Sequence, residues 1–421
     1  MLIRKAYKYR IYPNKTQQAA LAVQFGHTRY VYNYFLALRI ETYQRTGKGM
    51  SYADTAKQLP GMKRSPEYEW LKEADSQALQ QTLKDLDRAY QNFYEKRARF
   101  PRYKSKDHKQ SIRYPQRVKA DLESGRSYLP KVGWVKTVFE CRMEGKVKNV
   151  VISKTKSGRY YASFQVEVDI PDPVCEGEAV GIDLGLAHYA ALSDGTTIPN
   201  PCNLIRSERK LARLQRRLSR RKRGSEGWQK ARLQVSRMHE KIVNQRRDFQ
   251  HKLTRCLVDE FGVIGLESLN VKGMMNNGRL AKHIADASWG EFCRQLAYKG
   301  EWYGCQIVKI DPWYPSSKTC SVCGAEKEKM PLHVREWECL ECQAQHDRDV
   351  NTAKNILKQA TVGTTERRTK MVANAGGVQI RPVYHVQAGT QKPETQQQGY
   401  ESASIYTCCG VVHCIFPEDF W

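Results

Sequence analysis

The sequence predicts a multidomain α/β protein, and three observations carry that prediction. Runs with the period of β-strands occur at the N-terminus and again between Ser111 and Ile170, with a long helical stretch between them. From Ala179 onward, short apolar runs that end at polar or acidic residues alternate with amphipathic helices. Two Cys-x-x-Cys pairs near the C-terminal third mark a small module of a different kind. At 421 residues and 40% hydrophobic composition, the chain is long enough to bury a sizeable core. Its length suggests two or three domains, with one insertable into another.

Leu2 to Tyr12 alternates apolar and basic residues over a strand length, and Pro13 and Asn14 end it and open a helix. The stretch to about Arg97 reads as helical. It includes Gly26 to Asn33, whose aromatics recur at helical spacing, and a second run from Ser76 to Tyr94. Phe100-Pro101-Arg102-Tyr103-Lys104 breaks the helical pattern with proline and cations. Val147–Lys154 and Tyr160–Val168 flank Ser157-Gly158 as a hairpin, within a small β-barrel or sheet. The opening strand has no local partner and is expected to join that sheet, which leaves the helices as an insertion. After Pro171 to Glu178, Ala179-Val180-Gly181-Ile182 starts a new domain with a strand ending at Asp183. A helical pair from Ile205 to Val258 carries Arg213, Arg216, Arg217, Arg220, Arg221, Lys222 and Arg223 punctuated by Leu211, Leu214 and Leu218 at i, i+3 and i+7, which supply a packing face and leave the cations toward solvent or a ligand. Val263 to Leu266 and Cys305 to Ile310 read as further buried strands, with an amphipathic helix from Ser288 to Gly304 between them. Beyond Ala360 the chain turns rich in Gln, Thr, Gly and Ser and reads as a flexible tail over 361–421.

Seventy Lys and Arg against 44 Asp and Glu give a formal charge of +26, spread over most of the length. Such a field calls for a polyanionic partner. No apolar run reaches about 18 residues and no helix shows a clean basic amphipathic face, so nucleic acid is favoured over a membrane surface. Arg4, Lys5, Lys8 and Arg10 stand where a secretory signal would need apolar residues, so the expected compartment is the cytoplasm. Thirteen cysteines in a reducing compartment read as metal ligands where they are paired, not as a disulfide framework.

Three acidic positions stand out. Gly181-Ile182-Asp183-Leu184-Gly185 ends an apolar strand on a carboxylate beside glycines, a pattern shared with nucleotide-facing turns of sugar-kinase-like ATPases and with ordinary Asp turns. Glu267 repeats it after Val263 to Leu266. His346 to Ile356 opens a helix on Asp347 and Asp349 and packs it through Val350, Ala353 and Ile356. Carboxylates converging on one point repel unless cations lie between them, and hard oxygen ligands suit Mg²⁺ or Mn²⁺. Cys320-Ser321-Val322-Cys323 and Cys339-Leu340-Glu341-Cys342, 15 residues apart, have the spacing of a four-thiolate Zn²⁺ ribbon, a closed structural site. Cys408, Cys409 and Cys414 are irregular and read as having no functional role, a second metal site being the alternative.

Taken in order, these residues resemble the TnpB proteins of insertion sequences, compact relatives of the type V CRISPR effector nucleases. The resemblance runs from about Leu2 to Lys358. It includes Tyr9-Arg10-Ile11-Tyr12-Pro13, Arg29-Tyr30-Val31-Tyr32-Asn33, Phe100 to Lys104, Leu129 to Trp134, Gly181-Ile182-Asp183, Asn244 to Phe249, Leu266-Glu267, Tyr314 to Cys320 and Asp347 to Asn351. It implies a RuvC-like nuclease of RNase H fold over 177–313 and 344–360, with a target-binding zinc ribbon at 314–343. It also implies an N-terminal wedge β-barrel from 1–14 and 108–172, and an inserted helical recognition domain at 15–107. Within the last acidic motif it points to Asp349 as the metal ligand and Asp347 as its neighbour, and so to a catalytic set of Asp183, Glu267 and Asp349 holding Mg²⁺ or Mn²⁺.

The activity implied is RNA-guided cleavage of DNA beside a short adjacent motif, with a guide RNA from the element's own end and both double-stranded and single-stranded target DNA as partners. Ser76, Gln77, Gln80, Arg102, Lys104, Arg216, Arg217, Arg220 and Arg221 are the candidate nucleic-acid contacts, with Gln80 able to read adenine in the major groove. Two other activities compete. A guided DNA-binding repressor would need one of the acids lost, and a strand-transferring transposase would need no RNA.

Overall fold

The computed structural model describes residues 1–374 apart from 108, 176 and 332, with side chains described through residue 362. Cys408, Cys409, Cys414 and the stretch after 381 lie outside the described residues.

The described chain forms two compact units. The first contains residues 1–171 and 210–241. Its strands are β1 (Leu2–Tyr12), β2 (Gln110–Tyr114), β3 (Lys119–Asp121), β4 (Arg126–Leu129), β5 (Gly133–Val138), β6 (Lys146–Lys154) and β7 (Tyr160–Asp169), in the order β2-β6-β7-β1-β5-β4-β3. The opening strand lies in the middle of this sheet. β1 runs antiparallel to β7 from Leu2↔Asp169 to Ile11↔Tyr160, and to β5 from Arg10↔Val138 to Tyr12↔Lys136. From Tyr7 its side chains alternate as a two-residue period requires, and Tyr7, Tyr9 and Ile11 enter one core with Tyr114, Val150, Ile152 and Phe164. Gly158 turns the β6–β7 hairpin at φ +79. Where a closed barrel was expected, the hydrogen-bonded order is open. β3 is only three residues long and is spent on β4, so among the described residues β2 and β3 each pair with one neighbour.

Between β1 and β2 stand α1 (Lys15–Thr46), α2 (Tyr52–Arg64), a 3-10 helix (Pro66–Glu73) and α3 (Ser76–Tyr94). Asn14 starts α1 with a capping box to Gln17 and Asp75 caps α3, each satisfying backbone donors that a helix start leaves open. Val31, Phe35 and Leu36 of α1 pack with Leu79, Leu83 and Leu86 of α3, each set on one face of its helix.

The second unit holds a five-stranded sheet of β8 (Glu178–Asp183), β9 (His188–Leu192), β10 (Thr197–Pro199), β11 (Phe261–Leu266) and β12 (Gln306–Lys309), in the order β10-β9-β8-β11-β12. The β8–β9–β10 part is antiparallel, whereas β11 runs parallel to both β8 and β12. Helices α4 (Asn203–Ser219) and α5 (Glu226–Glu260) have residues in both units. The sheet core, built on Val180, Ile182, Ile264 and Leu266, is covered by α7 (Ala281–Ala287) and α8 (Trp289–Tyr303) through Ile284, Trp289, Phe292 and Leu296, after the short α6 (Val271–Met274). A two-stranded hairpin of β13 (Glu336–Glu338) and β14 (Gln345–Asp347) leads into α9 (Arg348–Asn374). α9 is helical through 361–374, where the composition pointed to a flexible tail. No described helix is long and apolar enough to cross a membrane.

Candidate active site and zinc centre

Gly181 pairs with Gly265 and Ile182 with Leu266 across the parallel β8–β11 ladder. Asp183 and Glu267 are the next residues, so the two carboxylates leave neighbouring strands at the same level, about 4.8 Å apart in backbone spacing. The glycines have a further consequence. A Cβ on Gly181 would lie 2.0 Å from the Ala353 carbonyl oxygen and 2.6 Å from Leu357 N, and one on Gly265 would lie 2.8 Å from Ala360 Cβ. Only bare backbone at these positions lets α9 rest directly on the strands, and Asp349, one turn before Ala353, is thereby brought to the strand ends.

The electrostatics reflect this convergence. Burial first, then the negative charges of Glu267 and Asp349, push the Asp183 carboxyl up to about 8, against the opposing pull of Arg348 and the Leu184 N–H. Asp349 is bracketed by Arg335, whose Nη1 donates to Oδ1 at 3.0 Å and Oδ2 at 3.1 Å. Asp347 is exposed, and its Oδ1 accepts from Val350 N at 2.9 Å, the geometry of a helix N-cap. Glu267 Oε1 accepts from Ser316 Oγ at 2.5 Å. Among the described residues, only the four cysteines bring three or more ligating atoms within 4.8 Å of one another. Glu267 and Asp349 both lie within electrostatic reach of Asp183.

The cysteine cluster is built from two matching knuckles. Cys320 N donates to Ala325 O and Gly324 N to Cys320 O; in the second knuckle Cys339 N donates to Ala344 O and Gln343 N to Cys339 O. Gly324 and Gln343 both take left-handed φ, at +82 and +56, which tucks each loop under its sulfurs. Cys320 Sγ stands 3.7 Å from Cys342 Sγ, and Cys323 Sγ 3.6 Å from Cys339 Sγ. Backbone N–H groups of Cys342 and Glu341 lower the Cys339 thiol to about 7. Against the pull of the Ala325 and Ala344 N–H groups, desolvation and thiol–thiol hydrogen bonds within the cluster hold Cys323 and Cys342 above the usual range, so one thiolate is shared among the sulfurs. Four sulfurs at this spacing fit a tetrahedral Zn²⁺ with no open position.

Of the candidate nucleic-acid contacts, Ser76 and Gln80 lie one turn apart on the exposed face of α3, with Lys84 a turn further. Ser76 Oγ accepts from Lys63 Nζ at 2.7 Å, and Gln77 Nε2 donates to Gln116 Oε1 at 3.0 Å. Arg102 is exposed, while Lys104 sits over the Tyr32 ring at 4.0 Å and its backbone is held by Asn33. Arg216, Arg217, Arg220 and Arg221 are all exposed at and beyond the end of α4. Ser316, Arg335, Asn351 and Asn355 also meet the site. Ser316, Asn351 and Asn355 lie within the segments Tyr314 to Cys320 and His346 to Ile356, but no spacing rule says where their side chains point.

A basic chain that carries strand-end carboxylates beside a four-thiol centre falls in the class of metal-binding proteins suited to polyanionic partners. Comparison with known proteins narrows this. One family model, described as "Probable transposase", matches residues 163–278; a Cas12f1-like TNB domain matches 289–356, and a helix-turn-helix model 1–48. The described structure over that last stretch is one strand and one unbroken helix, β1 and α1. A Streptomyces pristinaespiralis protein named RNA-guided DNA endonuclease is 38% identical over 386 residues, covering 90% of this chain and 92% of its own. InsQ of Escherichia coli K12, with the same description, is 38% identical over 369 residues, covering 84% and 91%. A cryo-EM structure of the Cas12f1-sgRNA-target DNA complex is 18% identical, covers 84% of this chain and 99% of that one, and has a TM-score of 0.32, too loose a superposition to carry an argument. The chain belongs to the TnpB family of insertion-sequence proteins.

Proposed function

We propose that this protein is an RNA-guided DNA endonuclease of an insertion sequence, with a metal-dependent active site of Asp183, Glu267 and Asp349. The observation that carries the site is the Gly181–Gly265 pair, which seats α9 against the ends of β8 and β11 and sets three acids on one small region. Relatives of matching length that are named RNA-guided DNA endonucleases support the activity. Three antiparallel strands followed by two parallel ones support the RuvC-like, RNase H-type reading of 177–313 and 344–360. The ribbon at 314–343 is then a target-binding module, the strands of 1–14 and 108–172 the wedge, and the helices of 15–107 the recognition domain.

The donor set fits Mg²⁺ or Mn²⁺: three hard carboxylate oxygen donors, one of them, Asp183, held protonated first by burial and then by the charges of Glu267 and Asp349. Bound there, such an ion supplies an activated water and stabilises the leaving oxygen of a phosphodiester. The chain's own residues do the rest. Asp183 and Glu267 present their carboxylates from rigid strand ends, and Asp349 adds a third from the first turn of α9. Asp347 is spent on capping that helix, which separates its role from that of Asp349. Arg335 neutralises Asp349 until a phosphate or cation competes for either partner. The exposed cations of 102, 104, 216, 217, 220 and 221 hold phosphates of the guide RNA and DNA strands.

Protein purified with its RNA should cut a plasmid carrying the guide-matched sequence when Mg²⁺ is present. Cleavage that proceeds equally well after the RNA is digested would sink RNA guidance.

A further inference from the structure

The segment leading into the first cysteine knuckle is bonded to two of the three elements that carry the proposed catalytic acids, the end of β11 and α9. This segment, Pro315 to Ser321, lies against α9. The Ser316 carbonyl accepts from Asn355 Nδ2 at 2.9 Å, and the Thr319 carbonyl from Asn351 Nδ2 at 2.8 Å and Asn355 Nδ2 at 2.6 Å. Asn351 Oδ1 accepts from Ser321 N at 2.8 Å, and Lys358 Nζ donates to the Ser321 carbonyl. Asn351 and Asn355 are both 1% exposed, so a bond broken while they stay buried leaves a polar group unsatisfied at the cost of its desolvation. From the middle of the same segment the buried Ser316 sends its hydroxyl to Glu267, the short charge-assisted contact at 2.5 Å. One residue of the segment is Cys320 itself, and His346 Nε2, three residues before Asp349, lies 3.1 Å from its sulfur.

We infer that Ser316 is a positioning residue for the catalytic metal site, and that it couples that site to the zinc knuckle. The hydroxyl fixes the orientation of Glu267, and the Asn351–Asn355 clamp fixes Ser316 relative to the helix bearing Asp349. Two acids on separate elements are thus registered against each other through a segment whose far end is held by Zn²⁺. A partner that orients a metal ligand without touching the metal changes metal affinity about 10- to 100-fold when removed. The inference rests on the proposal that Asp183, Glu267 and Asp349 hold the catalytic metal.

Mn²⁺ binding, followed by electron paramagnetic resonance of the free ion on full-length protein with its RNA, separates the two ideas. Asp183→Asn should abolish the tight sites, and its residual signal defines what the RNA binds. Ser316→Ala should weaken tight Mn²⁺ binding about tenfold while elemental analysis still finds one zinc per chain. The isosteric pair Ser316→Thr and Ser316→Val carries the test if Ser316→Ala disturbs folding. The threonine variant should bind more tightly than the valine variant by a similar factor, because the two differ only in the hydroxyl. Wild-type Mn²⁺ affinity in Ser316→Ala, or equal affinity in the threonine and valine variants, overturns the positioning role while leaving the site standing. Unchanged binding in Asp183→Asn overturns the site itself.

Discussion

Replacing Gly181 by alanine tests whether the seating of α9 sets the active site. The added Cβ would lie 2.0 Å from the Ala353 carbonyl oxygen and 2.6 Å from Leu357 N, both backbone atoms of α9 with no rotamer in which to escape. Real Cβ contacts essentially never fall under 3.0 Å, so the helix must retreat by about 1 Å at Ala353. Asp349 is one turn away on the same rigid element and moves with it. Overpacking of this kind costs about 1–3 kcal/mol of stability. A misplacement of about 1 Å at a reacting centre costs on the order of 100-fold in rate. Gly265→Ala is the internal comparison. Its new Cβ would meet side-chain atoms first, Ala360 Cβ at 2.8 Å and Ile356 Cγ2 at 3.2 Å, further along α9 from Asp349. Single-turnover cleavage of a matched target at saturating RNA and Mg²⁺, with melting curves on the same samples, should show Gly181→Ala folded, slightly less stable and about 100-fold slower, with Gly265→Ala between it and wild type. A Gly181→Ala protein that cleaves within about threefold of wild type would refute the idea that helix approach sets the site.

Alanine at Asp183, Glu267 or Asp349 should abolish cleavage and leave guide and target binding nearly intact in a filter-binding assay, whereas Asp347→Ala should cost about 1 kcal/mol as a lost cap and retain activity; an inactive Asp347→Ala beside an active Asp349→Ala would reverse the assignment. In the metal-free protein the folded Asp183 carboxyl titrates near 8 against an ordinary 3.8, so its stabilising contribution is fully present below the unfolded value and is lost as pH rises through about 8. Bound metal must displace that proton, so Mg²⁺ affinity measured by calorimetry should climb up to about tenfold per pH unit and level off above pH 8; a flat profile from pH 6 to 9 would contradict the shift. Elemental analysis should find one zinc per chain, and Cys320→Ser or Cys342→Ser should lose it together with protease resistance of the ribbon. Cleavage of a randomised adjacent-motif library should show relaxed preference at one position for Gln80→Ala, worth about 1–3 kcal/mol, and uniformly weaker cutting for Arg102→Ala; an unchanged preference in Gln77→Ala and Gln80→Ala would remove α3 from base reading.

What could be read from the sequence was whatever local chemistry encodes. The alternation of Leu2 to Tyr12 marked a strand, and the lack of a local partner sent it to the later sheet, where it pairs with β7 across about 160 residues. Apolar runs ending at Asp183 and Glu267 marked strand ends, and cysteine spacing marked the knuckles. What could not be read depends on contacts between distant segments. No periodicity reveals that Ser316 meets Glu267, or that Arg335 on the hairpin brackets Asp349. The sheet's open edges depend on β3 being only three residues long, whereas the strand periodicity fitted barrel and sheet alike and the family resemblance implied a barrel. The helix beyond Ala360 continues through Thr361 and Val362 despite weak propensity, its preceding turns held down by Ile356 and Ala360, both buried.

If Asp183, Glu267 and Asp349 serve an RNA-directed cleavage of DNA, the cut site must follow a reprogrammed guide. The RNA that co-purifies is sequenced and its guide segment replaced. Wild-type and Asp183→Ala proteins carrying the new RNA are then incubated with Mg²⁺ and a plasmid containing either the old or the new target. Cutting should follow the new guide alone and vanish in Asp183→Ala. Cutting or strand transfer that ignores the guide, or that survives in Asp183→Ala, would contradict the account.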